Sequence, residues 1–183
     1  DNSNDGSISK FTKLKEENNN IDFYIRKTPN KDLTQSIIDA LKFIDSEYIF
    51  VLDCDLQHDV NSIPIMINLL IDKDYDLVIG VRDISAIQSF KRRYISFFGI
   101  WLTKILGIKK LVDPLSGFFV IKTDKLKKIS PKIKSKGYKI LLSIIFYLPK
   151  TTKIKEVNIK FYPRKYEKSK LNFKVIILFF LQI

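Results

Sequence analysis

At 183 residues the chain fits one domain with room for a real core, and its 45% hydrophobic and 28% charged residues make a globular composition. The single cysteine, Cys54, excludes an internal disulfide and any Cys/His metal spacing, in keeping with a cytosolic or cytosol-facing setting. The net charge of +12 is uneven: residues 1–80 carry 8 Lys/Arg against 15 Asp/Glu (−7) and residues 81–183 carry 24 against 5 (+19). This suggests a face that meets something anionic, a phospholipid surface or nucleic acid, the alternative being lysines that simply coat the surface.

In chain order, Ile8 to Glu17 has Ile8, Phe11 and Leu14 at helical spacing, which predicts an amphipathic helix. Asp22 to Arg26 is a short strand candidate. Leu33 to Ile44 is again helical, with Leu33, Ile37, Leu41 and Ile44 on one face. The unbroken apolar run Tyr48 to Leu52 predicts a strand buried on both faces. A helix follows over Ile63 to Ile71, with Pro64 in its first turn, where proline is tolerated. Asp76 to Gly80 is a second buried strand.

The later half predicts a helix over Tyr94 to Leu106, a strand over Phe118 to Ile121 and an apolar helix over Ile140 to Leu148. From Glu156 to Tyr162, Val157, Ile159 and Phe161 alternate with Glu156, Asn158 and Lys160, the period of a half-buried strand. This order predicts an α/β domain with a mainly parallel sheet flanked by helices. The uncharged run from Val175 is shorter than the roughly 20 residues of a bilayer span. Behind Lys165, Lys168, Lys170 and Lys174 it reads as the start of a membrane or interfacial helix. The expected division is a catalytic domain at 1–170 and that helix at 171–183, in a fragment cut at both ends.

The chemistry concentrates in Leu52-Asp53-Cys54-Asp55-Leu56-Gln57-His58, at the carboxyl end of a buried strand, where open α/β sheets bind ligands. In an extended chain Asp53, Asp55 and Gln57 share a face at intervals of roughly 6.8 Å. Two carboxylates and an amide suit Mg²⁺ or Mn²⁺, hard cations that take oxygen ligands and share them with phosphates. A strand-ending turn also favours Asp, so the spacing alone leaves both readings open. Cys54 reads as a small packing residue and His58 as a surface or turn residue.

The run Asp53 to His58 resembles the Asp-Ala-Asp-Leu-Gln-His motif of dolichol-phosphate mannose synthases and related polyprenyl-phosphate glycosyltransferases, in glycosyltransferase family 2 with the GT-A fold. Six further segments match in order. Asp1-Asn-Ser-Asn-Asp-Gly6-Ser resembles the family's Asp-Asp-(Gly/Ser)-Ser-X-Asp-Gly-Thr loop from its second Asp, and Asn30 to Leu33 resembles Asn-Arg-Gly-Leu. Leu77 to Arg82 resembles Val-Val-Gly-Ser-Arg, and Arg92 to Ser96 resembles Arg-Arg-X-X-Ser. Asp113-Pro-Leu-Ser-Gly-Phe-Phe119 resembles Asp-Pro-X-Ser-Gly-Phe, and Arg164 to Lys170 resembles Arg-X-X-Gly-X-Ser-Lys.

The resemblance implies a membrane-associated hexosyltransferase at the cytoplasmic face, moving mannose from GDP-mannose to a polyprenyl or dolichyl phosphate. It implies nucleotide binding by Asp1, Asp5 and Asp53, and a Mg²⁺ or Mn²⁺ ion on Asp53, Asp55 and Gln57. The acceptor phosphate falls to Arg82, Arg92, Ser96, Arg164, Ser169 and Lys170, with Asp55, Arg82 and Arg164 at the reaction itself. Glu167 stands where the family has Gly, Asp32 replaces another Gly, and Ser143 stands where relatives have Glu. The segment that normally carries the first strand is missing. The rival readings are glucosyl or other transfer from a UDP-sugar to undecaprenyl phosphate, and a non-catalytic membrane-binding relative. No nucleic-acid partner is expected: that reading is weakened because the aromatics sit in apolar runs, not among exposed basic residues.

Overall fold

The computed structural model describes residues 5–28, 32–82, 111–134, 137 and 140–162. The elements are α1 (Ser7–Glu17), α2 (Leu33–Ala40), β1 (Tyr48–Val51), α3 (Ile63–Lys73), β2 (Leu77–Arg82), β3 (Phe119–Lys122), α4 (Thr123–Ile129), α5 (Ile140–Tyr147) and β4 (Ile154–Ile159). The strands form one sheet in the order β1-β3-β2-β4. β4 runs parallel to β2, whereas β3 runs antiparallel to both β1 and β2. Three described strands thus point one way, as expected, and β3 is inserted against them.

Alternation along the strands divides the core in two. Leu77 and Ile79 of β2 and Phe119 and Ile121 of β3 join Leu41, Leu126, Leu141 and Ile144 on one face. Val78, Val120 and the preceding Phe118 join Met66 and Leu70 of α3 and Ile159 of β4 on the other. Gly80 is required where the layers meet, because a Cβ there would collide with the Phe118 ring.

Three local expectations change. Tyr48 to Leu52 is shorter and only Ile49 is fully buried, since β1 lies at the border of the described sheet. Asp22 to Arg26 joins no ladder; Arg26 instead donates to the Asp39 carboxylate at 2.9 Å and to the Asp32 carbonyl at 3.2 Å, which ties the segment to α2. The helix from Leu33 ends at Ala40 and tightens into a 3-10 turn at Leu41–Phe43. Asp32, which replaces a family Gly, caps α2 by accepting from the Gln35 N–H at 3.0 Å.

The Tyr94 to Leu106 helix, Glu167 and the segment 171–183 lie outside the described residues. Among the described residues no helix is long and apolar enough to cross a membrane.

Candidate active site

The site forms at the carboxyl end of β1. There the chain bends away from strand geometry, so Asp53, Asp55 and Gln57 do not sit on one face of an extended segment. Leu56 takes a left-handed conformation at φ 60°, which costs an L residue about 1–2 kcal/mol. A hydrogen bond of 3.2 Å from the Gln57 N–H to Asp55 Oδ1 closes the turn and offsets part of that cost. Gln57 is then tied to the end of the β4 segment: its N–H₂ donates to the Tyr162 carbonyl at 3.0 Å, and its own carbonyl accepts from the Tyr162 N–H at 2.8 Å.

The opposite wall is the loop that leads into β3. Because β3 is antiparallel to β1, its amino end meets the carboxyl end of β1. Gly117 lies so close to Asp53 that a Cβ there would stand 2.7 Å from Asp53 Oδ2. The loop is held from two sides. Ser116 Oγ donates to the Gly80 carbonyl at 2.7 Å, and Glu156 on β4 accepts from the N–H groups of Val112 and Asp113 at 2.8 and 3.0 Å. Asp113 is itself buried. A cavity of about 300 Å³, walled by Leu33, Ile37, Leu41 and Ile140, runs up to Asp53, Ser116 and Gly117.

His58 completes the wall and corrects the surface reading, being only 7% exposed. Its ring stacks on Phe118 at 4.8 Å and 5° and meets Phe161 edge-on at 5.5 Å. Its Nε2 faces Asp53 Oδ2 at 3.8 Å. Cys54 is exposed, not packed.

Asp53 and Asp55 are therefore brought together with Gln57 in one loop. Asp5 lies at the start of α1, where its Oδ1 accepts from the Ser7 N–H at 3.0 Å. Arg82 ends β2 opposite Ile159 of β4. Asp1, Arg92, Ser96, Arg164, Ser169 and Lys170 lie outside the described residues. Among the described residues, no group of three or more His, Cys, Asp or Glu side chains forms a metal cage. Glu156 carries no local signal in the sequence, since its partners lie far along the chain; His58 stands in the Asp53–His58 motif, but its burial against Phe118 and Phe161 is not legible there.

The model of the family described as "Glycosyl transferase family 2" matches residues 1–133, a span that contains both walls of this site. The chain belongs to glycosyl transferase family 2. Within the family it is 30% identical, over its whole length, to the dolichol-phosphate mannosyltransferase of Saccharomyces cerevisiae, and spans 70% of that protein. The Pyrococcus furiosus dolichol-phosphate mannosyltransferase is 32% identical over 83% of this chain, which spans 44% of that relative. Among solved structures, glucosyl-3-phosphoglycerate synthase from Mycobacterium tuberculosis, in complex with Mn²⁺, UDP and glucosyl-3-phosphoglycerate, superposes with a TM-score of 0.58. It is 14% identical over 79% of this family 2 chain and half of its own, which shows a shared GT-A fold.

Proposed function

We propose that this chain is the catalytic part of a hexosyltransferase that moves mannose from GDP-mannose to a polyprenyl phosphate, dolichyl phosphate in the first instance, with inversion at the sugar's anomeric carbon. The observation that carries the reading is the seating of Asp53 against Gly117, which joins the Asp53–His58 loop to the Asp113–Phe119 loop at one point. Whole-chain identity to a dolichol-phosphate mannosyltransferase supports the sugar and the acceptor.

The residues fit a divalent cation. Asp53 lies in a cradle that any Cβ at position 117 would fill, and Asp55 stands two residues further on. Carboxylate oxygens suit Mg²⁺ or Mn²⁺, and the remaining positions go to water, the donor's phosphates and the Gln57 amide oxygen. When bound, the ion supplies positive charge against the leaving diphosphate. Tyr162 holds the Gln57 amide nitrogen, and an amide would meet a hard cation through its oxygen.

The chain's own part is to position and to stabilise charge. Asp1 and Asp5 bind the nucleoside together with Asp53. Arg82, Arg92, Ser96, Arg164, Ser169 and Lys170 hold the acceptor phosphate, whose oxygens match guanidinium forks and hydroxyls. An oxygen of that phosphate, already anionic, attacks the sugar's C1 as the bond from C1 to the diphosphate oxygen breaks. Nucleoside diphosphate leaves, no proton needs removing, and no general base is required. Arg82 and Arg164 orient the attacking phosphate in line. The +19 charge of residues 81–183 supports work at an anionic membrane surface, on its cytoplasmic face.

The test supplies dolichyl phosphate in membranes with labelled GDP-mannose or UDP-glucose, in Mn²⁺ or in EDTA, and counts lipid-linked label. Label from GDP-mannose in Mn²⁺ alone is expected. Label from UDP-glucose alone transfers the assignment to the glucosyl reading.

A further inference from the structure

The buried imidazole of His58 has a feature that packing alone does not require. Its Nδ1 finds no hydrogen-bond partner among the described residues, while Nε2 points at Asp53 Oδ2 from 3.8 Å. A buried N–H without an acceptor is the costlier orphan, so the favoured tautomer keeps its proton on Nε2 and leaves a bare lone pair on Nδ1. Phe118 below the ring, Phe161 at its edge and the backbone bridge between His58 and Phe161 leave it little freedom to turn. The Asp53 side chain is 48% exposed against 4% for His58, so the ring is the enclosed member of the pair.

We propose that His58 is a positioning residue for Asp53: its Nε2–H, held by the Phe118–Phe161 stack, aims the Asp53 carboxylate outward for cation binding. The inference rests on the reading of Asp53 as a cation ligand. The missing side chain at Gly117 leaves the room that the carboxylate occupies, and His58 Nε2 faces its Oδ2 across that space. A shift of about 1 Å in the carboxylate brings Nε2 to the ordinary length of a charge-assisted hydrogen bond. Partners of this kind, one bond removed from the metal, change affinity by roughly 10- to 100-fold when lost.

Two substitutions separate the ring's packing from its donor. His58→Phe keeps an aromatic face on Phe118 and removes Nε2, whereas His58→Gln places an amide N–H near the Nε2 position and removes the stack. Mn²⁺ binding in the presence of GDP is read by electron paramagnetic resonance of free Mn²⁺ on the full chain, with Tm recorded beside it. The expected result is that H58F weakens Mn²⁺ binding by about tenfold or more at a Tm near that of the unsubstituted protein. H58Q is expected to keep affinity within about threefold, by the same reasoning, at a lower Tm. Unchanged Mn²⁺ affinity in H58F overturns the role of His58 alone. If H58F does not fold, H58Q decides: retained affinity supports the donor and a tenfold loss rejects it. Absence of Mn²⁺ binding by the unsubstituted protein overturns the cation reading of Asp53, and this inference falls with it.

Discussion

The two edges of one sheet use the same residue types to opposite ends. At the amino edge of β2 and β4, Asp76 accepts from the Lys153 N–H at 2.9 Å and pairs with Lys122 and Lys125 at 3.5 and 3.6 Å. Asp74 accepts from the Lys122 and Lys153 ammonium groups at 2.7 and 2.9 Å. Those lysine hydrogen bonds hold the Asp74 carboxyl down at about 2. Burial alone would raise Asp76, but the Lys153 N–H and the two lysines outweigh it and hold that carboxyl below its ordinary range. At the carboxyl edge, Asp53 is backed by a glycine and an imidazole ring. Carboxylates matched to lysines serve the fold, and the one beside Gly117 and His58 lies at the candidate site.

The sharpest way to break this contrast is Asp55→Asn. The amide oxygen still accepts from the Gln57 N–H, so the turn stays and only the charge is lost. Transfer is expected to fall roughly 10²- to 10³-fold with far-ultraviolet circular dichroism unchanged. Gly117→Ala comes next. The added methyl meets the end of a flexible side chain, so Asp53 moves while the loop stays folded. A displacement of about 1 Å predicts a loss near 100-fold in initial rate with little change in Tm.

On the amino edge, Asp76→Ala strands the Lys153 N–H and is expected to cost about 1–3 kcal/mol in a denaturant titration, with initial rates unchanged below the transition. A fall in rate at equal stability would show that the edges are not separable.

The smallest effect is that of Asp74→Asn, and it depends on pH. Its folded carboxyl titrates near 2, below its ordinary 3.8. The stabilisation is therefore fully present above pH 4 and is lost as pH falls through 2. Tm of the two proteins should differ at pH 5 and converge toward pH 2. Because Asp74 lies on the surface, salt is expected to shrink the difference at pH 5 as well.

Much of the fold was legible. The apolar runs Tyr48 to Leu52 and Asp76 to Gly80 became β1 and β2, and the period-two pattern around Val157 and Ile159 became β4. The helical spacing from Ile8 did predict α1, yet none of its residues is buried, whereas six of the eight in α5 are. Spacing tells which side of a helix is apolar, and only an opposing surface decides whether that side is covered. Asp22 to Arg26 has strand composition, but Arg26 finds Asp39 on α2, and a side-chain anchor replaces the ladder.

Of the site, the sequence by itself determined the carboxylates, their place at a strand's end and the family to which their order belongs. These follow from local residue choice and spacing. Tertiary structure decided that β3 runs antiparallel, which brings Gly117 to Asp53. It decided that Glu156, 43 residues beyond Asp113, caps the loop through two N–H groups. It also decided that His58 lies buried between Phe118 and Phe161. Each is a contact between segments far apart in the chain, where a residue's role is set by which surface arrives opposite it.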